Sequence, residues 1–333
     1  MIQLLTYPDI DPQQWQALID RSPYATWFQT QEAYEFYASL PEEMTPFVYA
    51  IQRDSELRVL IVGYITREKN SIKQYFTRRA IIIGGPVIAA NATEEDVKNL
   101  LYAVNNGLKG RVIYVEMRNF HDYSKWRNVF EANGFAYHPH LNFHVDTSSV
   151  EVVDKNLGKS RKRDIRTTIR EGVTPVMQPT IEQVCEYYQI LHTLYTTKVK
   201  TPLFSWHFFE QLYHTEHARF ILTEYQGRII GGTVCVELPN RALYEWFACG
   251  EDGVYNHIYP SCYATYLGIQ YAAESGCQIF DMMGAGKPNE AYGVRDFKAK
   301  FGGELVEHGR FLCIRKPLLY WIGKMGVKLL KKR

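Results

Sequence analysis

The sequence predicts an α/β protein with mixed sheets, built twice over in one chain. Three observations lead there. Helix-period and strand-period segments alternate through both halves in a similar order. The chain is 333 residues long, enough for about two domains. It is 46% apolar and 22% charged, the balance of a folded chain with a sizeable core. No strong sequence repeat accompanies the repeated order, so the duplication is one of structure.

In the first half, Asp11 to Ile19 and Gln31 to Leu40 read as short helices. Phe47 to Arg53 and Arg58 to Arg67 read as strands around an Asp54-Ser55-Glu56 turn. Lys73 to Ala89 gives a third strand signal. Thr93 caps a helix running to about Asn106, with Glu95 and Asp96 suited to its first turn. Arg111 to Met117 is a strand, Tyr123 to Asn133 a helix ended by Gly134, and Ala136 to Val145 an alternating strand. The stretch 146–149 marks the boundary. The expected domains are therefore 1–147 and 148–316, followed by a last helix, 317–333.

In the second half, a basic helix runs from about Asn156 to Glu171, then a strand, then a helix from Ile181 to Lys198. Trp206 to His214 is a further helix. Ala218 to Glu224, Arg228 to Glu237 and Ala242 to Gly250 read as consecutive strands, with turns at Gly227 and Pro239-Asn240. Pro260 opens a helix that Gly276 ends. Ile279 to Met282 and Arg310 to Ile314 are short strands.

Composition narrows the setting. No basic n-region opens the chain, and its longest apolar run, Ala80 to Ala90, is far short of a membrane span. The six cysteines form no C-x-x-C pair, a reduced pattern. The expected location is the cytoplasm, with peripheral contact at the cytoplasmic membrane. Net charge is only +2, yet it is unevenly placed. Seven basic residues and one acid lie between Lys155 and Arg170, and seven basic residues with no acid between Arg315 and Arg333. Two basic surfaces on an otherwise acidic body point to polyanionic partners, or to ordinary solvated helix faces.

Several chemistries find no motif. There is no G-x-S-x-G elbow and no G-x-G-x-x-G after an early strand. Gly158-Lys159-Ser160 ends like a P-loop, but Val153 stands where the first glycine belongs. His138, His140 and His144 alternate along one strand reading, but no second cluster completes a metal shell, so no metal is expected. Lys155, Lys159, Arg163, Arg166 and Arg170 recur at three and four residues and share a helix face that could grip phosphates. The start of the Pro260 helix is a second candidate anion site.

Three runs in order carry a resemblance: K-N-L-G-K-S-R-K-R-D-I-R at 155–166, G-C-Q-I-F-D-M-M-G at 276–284, and G-V-R-D-F-K-A-K-F-G-G at 293–303. Together they resemble the Fem family, the peptidoglycan interpeptide-bridge aminoacyltransferases built from two acetyltransferase-like (GNAT) domains. F-K-x-x-F-G-G is the most specific part. No long helical-hairpin insertion is seen in the second domain, which some members use as an arm.

The resemblance implies an aminoacyl-tRNA co-substrate with no other cofactor. It also implies an amine acceptor on a UDP- or lipid-linked muramyl peptide, and a last helix that packs back on the first domain. It makes Lys298 the residue that steadies developing charge, beside Phe297. Asp281 would orient groups or accept a proton. Tyr244, Trp246, Tyr292 and Arg295 become substrate-cleft candidates, and Lys200 and Phe204 acceptor-gripping ones. Lys159, Arg163, Arg166 and Arg170 become the phosphate- and tRNA-binding row. The bland alternatives are core packing for the aromatics and surface or capping roles for the charged residues. Acyl-CoA or an acyl carrier protein is the alternative donor, although no Q/R-x-x-G-x-G/A signature precedes Pro260. A non-catalytic module that binds RNA or anionic lipid through the basic helix is the third reading. In the last helix, Lys324, Lys328, Lys331 and Lys332 lie to one side, and Leu319, Trp321, Ile322 and Leu330 largely elsewhere, a pattern that suits an anionic membrane face or a docked terminal helix.

Overall fold

Hydrophobic strands bounded by turns assemble into two separate mixed sheets, each with its own core. The computed structural model describes residues 2–68 and 70–330, without the side chains of 71–73 and 327–330. The chain divides into two units, 1–140 with 307–333, and 141–306.

Among the described residues the first unit holds an eight-stranded sheet. Its order is Ile2–Leu5, Met44–Arg53, Glu56–Thr66, Ala80–Gly84, Tyr114–Asn119, Arg310–Ile314 and Ala136–His138, with Val87–Ile88 paired to Glu56–Thr66. Ala80–Gly84 and Tyr114–Asn119 run parallel while their neighbours run antiparallel. The helix Glu94–Gly107 makes the crossover that a parallel pair requires. It starts where the sequence predicts: Thr93 and Asp96 exchange the two hydrogen bonds of a capping box. Its buried Val97, Leu100, Leu101 and Val104 join Ile61, Ile82, Met117 and Phe130 in the first core.

The second unit repeats the pattern. Its seven-stranded sheet, counted over the described residues, runs Glu304–Glu307, Leu141–Asp146, Ile279–Asp281, Ala242–Gly250, Arg228–Leu238, Ala218–Tyr225 and Thr174–Val176. Again one pair is parallel, Ala242–Gly250 with Ile279–Asp281, and again one long helix, Pro260–Glu274, makes the crossover. That helix is buried nearly all round because it lies on the sheet at Gly268, where a Cβ would sit 3.0 Å from the Phe280 ring.

Several expectations are corrected. The change of unit comes after His140, not at 146–149. The alternating run Ala136 to Val145 is two strands, broken at Pro139-His140, and its halves pair in different sheets. His138 and His140 thus fall in the first unit and His144 in the second. Arg310–Ile314 belongs to the first sheet, since it pairs with Tyr114–Asn119. The segment read as a strand from Lys73 begins instead with a helix, Ser71–Thr77. The basic run is two helices, Val150–Asn156 and Lys159–Arg170, so Lys155 leaves the row. The last helix, Pro317–Leu330, packs on Ser71–Thr77 within the first unit. Lys331 and Lys332 lie outside the described residues, as do the side chains of Lys328 and Leu330.

Candidate functional site

The second unit contains a place where a strand pair opens. Ala242–Gly250 and Ile279–Asp281 pair only over Ala242, Leu243 and Tyr244. Beyond that, the first strand continues to Gly250 alongside Arg228–Leu238, with a bulge at Val234/Cys235. The other backbone turns away along Leu141 to Phe143: Met282 N–H donates to Phe143 O at 3.0 Å, and Ala285 N–H to Leu141 O at 2.7 Å. The turn needs positive φ at Met283 (52°) and Gly284 (111°). Backbone that has lost a ladder partner must find another.

Lys298 supplies it. Its helix, Gly293–Ala299, was not legible as a helix in the sequence. The Lys298 ammonium donates to the carbonyls of Met282 and Gly284, the latter at 3.0 Å. Burial pushes its pKa down, while the carboxylates of Glu245 and Asp281 pull it back up. Glu245 lies inside the apolar strand ALYEWFACG, 5% exposed, and accepts from Thr265 Oγ1 at 2.8 Å and Thr233 Oγ1 at 3.3 Å. Burial raises its pKa against the opposing pull of Lys298 and the two hydroxyls. Burial thus biases both members of the Lys298–Glu245 pair toward their neutral forms.

Asp281 is 2% exposed and fully engaged. It accepts from Asn142 Nδ2 at 2.8 Å and Met283 N–H at 2.7 Å, and pairs with His144 Nε2 at 3.1 Å. Burial acts to raise its pKa, but His144, Asn142 and the Met283 N–H more than offset that and hold it below the ordinary carboxylate value. His144 shows the mirror image: burial acts to lower its pKa, and Asp281 with Glu304 raises it. Both carboxylate oxygens of Asp281 are thus committed to neighbouring groups. His144 faces Asp281, and among the described residues no group of three metal-ligating side chains gathers.

The three motif runs meet here. Gly158 N–H donates to Lys300 O at 3.0 Å, and a Cβ on Gly158 would sit 2.7 Å from that oxygen. Gly302, at φ +83°, leaves room where a Cβ would overlap the Asn156 carbonyl. Arg161 is 8% exposed; its guanidinium lies over the rings of Phe297 (4.3 Å) and Phe301 (5.1 Å) and donates to Phe297 O at 3.3 Å. Phe297 therefore packs under Arg161, and the buried face of Lys159–Arg170 is fixed to the helix that carries Lys298. The outer face of the basic helix bears an open groove of about 410 Å³ lined by Lys159, Lys162, Arg163, Arg166, Thr167 and Arg170.

Residues 211–328 match the model of the FemAB family. The fold of the chain is that of tandem GNAT proteins. The crystal structure of FemX superposes at a TM-score of 0.73 with 13% identity, covering 96% of this chain and 100% of that one. L-PGS from Bacillus licheniformis gives 0.58 with 16% identity, over 97% and 98%. A tandem GNAT protein from the clavulanic acid biosynthesis pathway gives 0.56 with 8% identity, over 95% and 99%. At such identities the likeness is one of fold. A search of curated protein sequences found no match.

The remaining candidates divide into braces and wall. Arg295 donates to Ala285 O at 2.8 Å and to Lys287 O, and the Tyr292 ring lies against Gly286, so both hold the 282–287 turn that Lys298 caps. Tyr292 keeps 44% of its surface exposed. Tyr244 is 2% exposed and belongs to the core beneath Asp281, which corrects its expected place in an open cleft. Trp246 and Phe204 come together through Phe208, edge-on to Trp246 at 5.2 Å and stacked on Phe204 at 4.2 Å. Lys200 is exposed in a left-handed conformation that ends the π turn Tyr195–Val199. Tyr195 of that turn is within electrostatic reach of Tyr292. At the start of the Pro260 helix, where an anion site is expected, Asp252 Oδ1 accepts from Ser261 N–H at 3.3 Å, so one of the free N–H groups already meets a carboxylate.

Glu245, Arg161 and the contact of His144 with Asp281 are the features of the candidate site that sequence reasoning passed over. A lone carboxylate inside an apolar strand was the available signal for Glu245.

Proposed function

We propose that this chain is a FemAB-type acyltransferase that transfers an aminoacyl group from aminoacyl-tRNA to an amine of a peptidoglycan precursor, forming an amide of an interpeptide bridge. The observation that carries the reading is the Lys298 ammonium in the opening between the strand Ala242–Gly250 and the 282–286 turn. An ammonium has three N–H donors, and two are committed to Met282 O and Gly284 O. The third is available to a group entering the gap.

The acceptor amine attacks the ester carbonyl carbon, a C–N bond forms, and negative charge develops on the carbonyl oxygen. Lys298 donates its third hydrogen bond to that oxygen in surroundings where burial strengthens the interaction. Collapse breaks the C–O bond, and the departing ribose hydroxyl of the tRNA carries away the proton lost by the amine. Glu245 and Asp281 offset part of the fall in pKa that burial imposes on Lys298, and the His144–Asp281–Asn142 network fixes the turn whose carbonyls aim it.

The groove of Lys159, Lys162, Arg163, Arg166 and Arg170 suits the phosphates of an RNA end. Arg161 and Gly158 tie that helix to the one bearing Lys298, which supports phosphate grip and ester chemistry acting together. The Asp252 carboxylate at Ser261 N–H speaks against a pyrophosphate at the Pro260 helix, and so against free coenzyme A as donor.

The test is donor identification. The purified protein is incubated with labelled aminoacyl-tRNAs and, separately, with acyl-CoAs, using UDP-linked muramyl pentapeptide and lipid-linked precursor as acceptors. Transfer from one aminoacyl-tRNA is the expected result and names the amino acid. Transfer from acyl-CoA alone would contradict the proposal.

A further inference from the structure

The last helix carries an apolar stripe that faces solvent. Leu318, Trp321, Ile322 and Met325 are 71%, 60%, 40% and 41% exposed. Their spacing of three, four and seven residues puts them on one face. It is not the face that holds the helix to its unit. Tyr320 meets Tyr114 edge-on at 5.2 Å, and the helix comes closest to Ser71–Thr77 at Gly323, where a Cβ would sit 3.6 Å from Phe76 O. By helical period, Tyr320 and Gly323 lie on the side opposite the stripe. Among the described residues the helix thus has one docked face and one solvent-facing apolar face. Tyr75 and Phe76 of the neighbouring helix, 55% and 38% exposed, widen the apolar surface.

Charge indicates what covers it. From Arg315 onward the sequence has seven basic residues and no acid. Lys324 is exposed, and Lys316 places its ammonium 5.8 Å from the Tyr75 ring. An apolar stripe rich in large side chains, with tryptophan at its centre and uncompensated lysines beside it, fits the boundary between lipid headgroups and acyl chains. A second copy of the same surface would bring like charges together. No helix among the described residues is long and apolar enough to cross a membrane, so contact through this helix would be in the plane of the surface.

We infer that the helix Pro317–Leu330, with Tyr75 and Phe76, docks the chain on an anionic lipid bilayer. The inference goes beyond the transfer reaction and does not rest on it.

The full chain is sedimented with vesicles of phosphatidylglycerol and phosphatidylcholine, and with vesicles of phosphatidylcholine alone. A Leu318→Glu/Trp321→Glu variant is run beside it, with circular dichroism and thermal melting to show that these exposed changes leave the fold intact. Binding to the anionic vesicles is expected, weaker by roughly tenfold both for the variant and for neutral vesicles, and weakened by salt. No binding to anionic vesicles, or equal binding by the intact variant, would overturn the inference. A concentration-dependent dimer that the variant abolishes, with no vesicle binding, would assign the surface to a second copy and overturn it as well.

Discussion

The Lys298 ammonium donates to the Gly284 carbonyl at 3.0 Å, so the residue that faces the strand opening is also a cap on the turn that bounds it. Burial lowers its pKa, and Glu245, with Asp281, offsets part of that fall. Replacing Glu245 with Gln removes that support. The high-pH limb of the kcat/KM profile, where Lys298 loses its proton, should move to lower pH. An unmoved limb in the variant would show that Glu245 does not hold the charge on Lys298.

His144 and Asp281 make a titration prediction with a definite sign. The folded pKa of His144 is raised above 6.5. Its pairing therefore contributes stability that is fully present below 6.5 and is lost as pH rises through the folded value. The folded pKa of Asp281 is depressed below 3.8, so its contribution is present above that value and is lost as pH falls through the folded pKa. In Asp281→Asn the histidine keeps its burial but loses its partner, and an NMR titration should place its pKa lower than in the native protein. An unchanged His144 titration would show that the pair does not govern it.

Gly302→Ala should destabilise the second unit by about 1–3 kcal/mol. The new Cβ would meet the Asn156 carbonyl and force a side chain into φ +83°. Thermal melting measures the loss. A Tm within experimental error of the native value would mean that the junction of Asn156 with Gly302 is looser than described.

Arg163→Ala and Arg166→Ala should weaken RNA binding uniformly across sequences. Each should lower the salt slope of binding by about 0.7–0.9 for every phosphate that the arginine neutralises. Arg161→Ala should act differently, through stability, because its guanidinium is stacked on Phe297 and Phe301 out of reach of a ligand. Fluorescence anisotropy with a short RNA at several salt concentrations, paired with melting curves, separates the two behaviours.

The mixed sheets and crossover helices were readable because each rests on local signals: Thr93 with Asp96 at one helix start, Pro260 at another, and strand runs bounded by turns. The Gly293–Ala299 helix was not, since the run GVRDFKA buries no residue fully and so shows no apolar face to read. The unit boundary was misplaced because Ala136 to Val145 alternates as one strand, and only pairing partners reveal that its halves belong to different sheets. Lys298 and Asp281 could be named from the resemblance, but their work depends on residues distant in sequence. Asn142 reaches Asp281 across 139 positions, and Arg161 reaches Phe297 across 136. Tyr244 misled for the same reason, as an aromatic in a motif reads alike whether it lines a cleft or fills a core.

In the proposed mechanism Lys298 is the group that steadies charge during transfer. Single-turnover transfer from aminoacyl-tRNA should be measured for the native protein and for Lys298→Met at saturating acceptor, with melting curves to confirm that both are folded. Loss of an oxyanion donor predicts a rate about 10²–10³ lower in the folded variant, with tRNA affinity unchanged. A folded Lys298→Met protein that transfers at the native rate would contradict this role for Lys298.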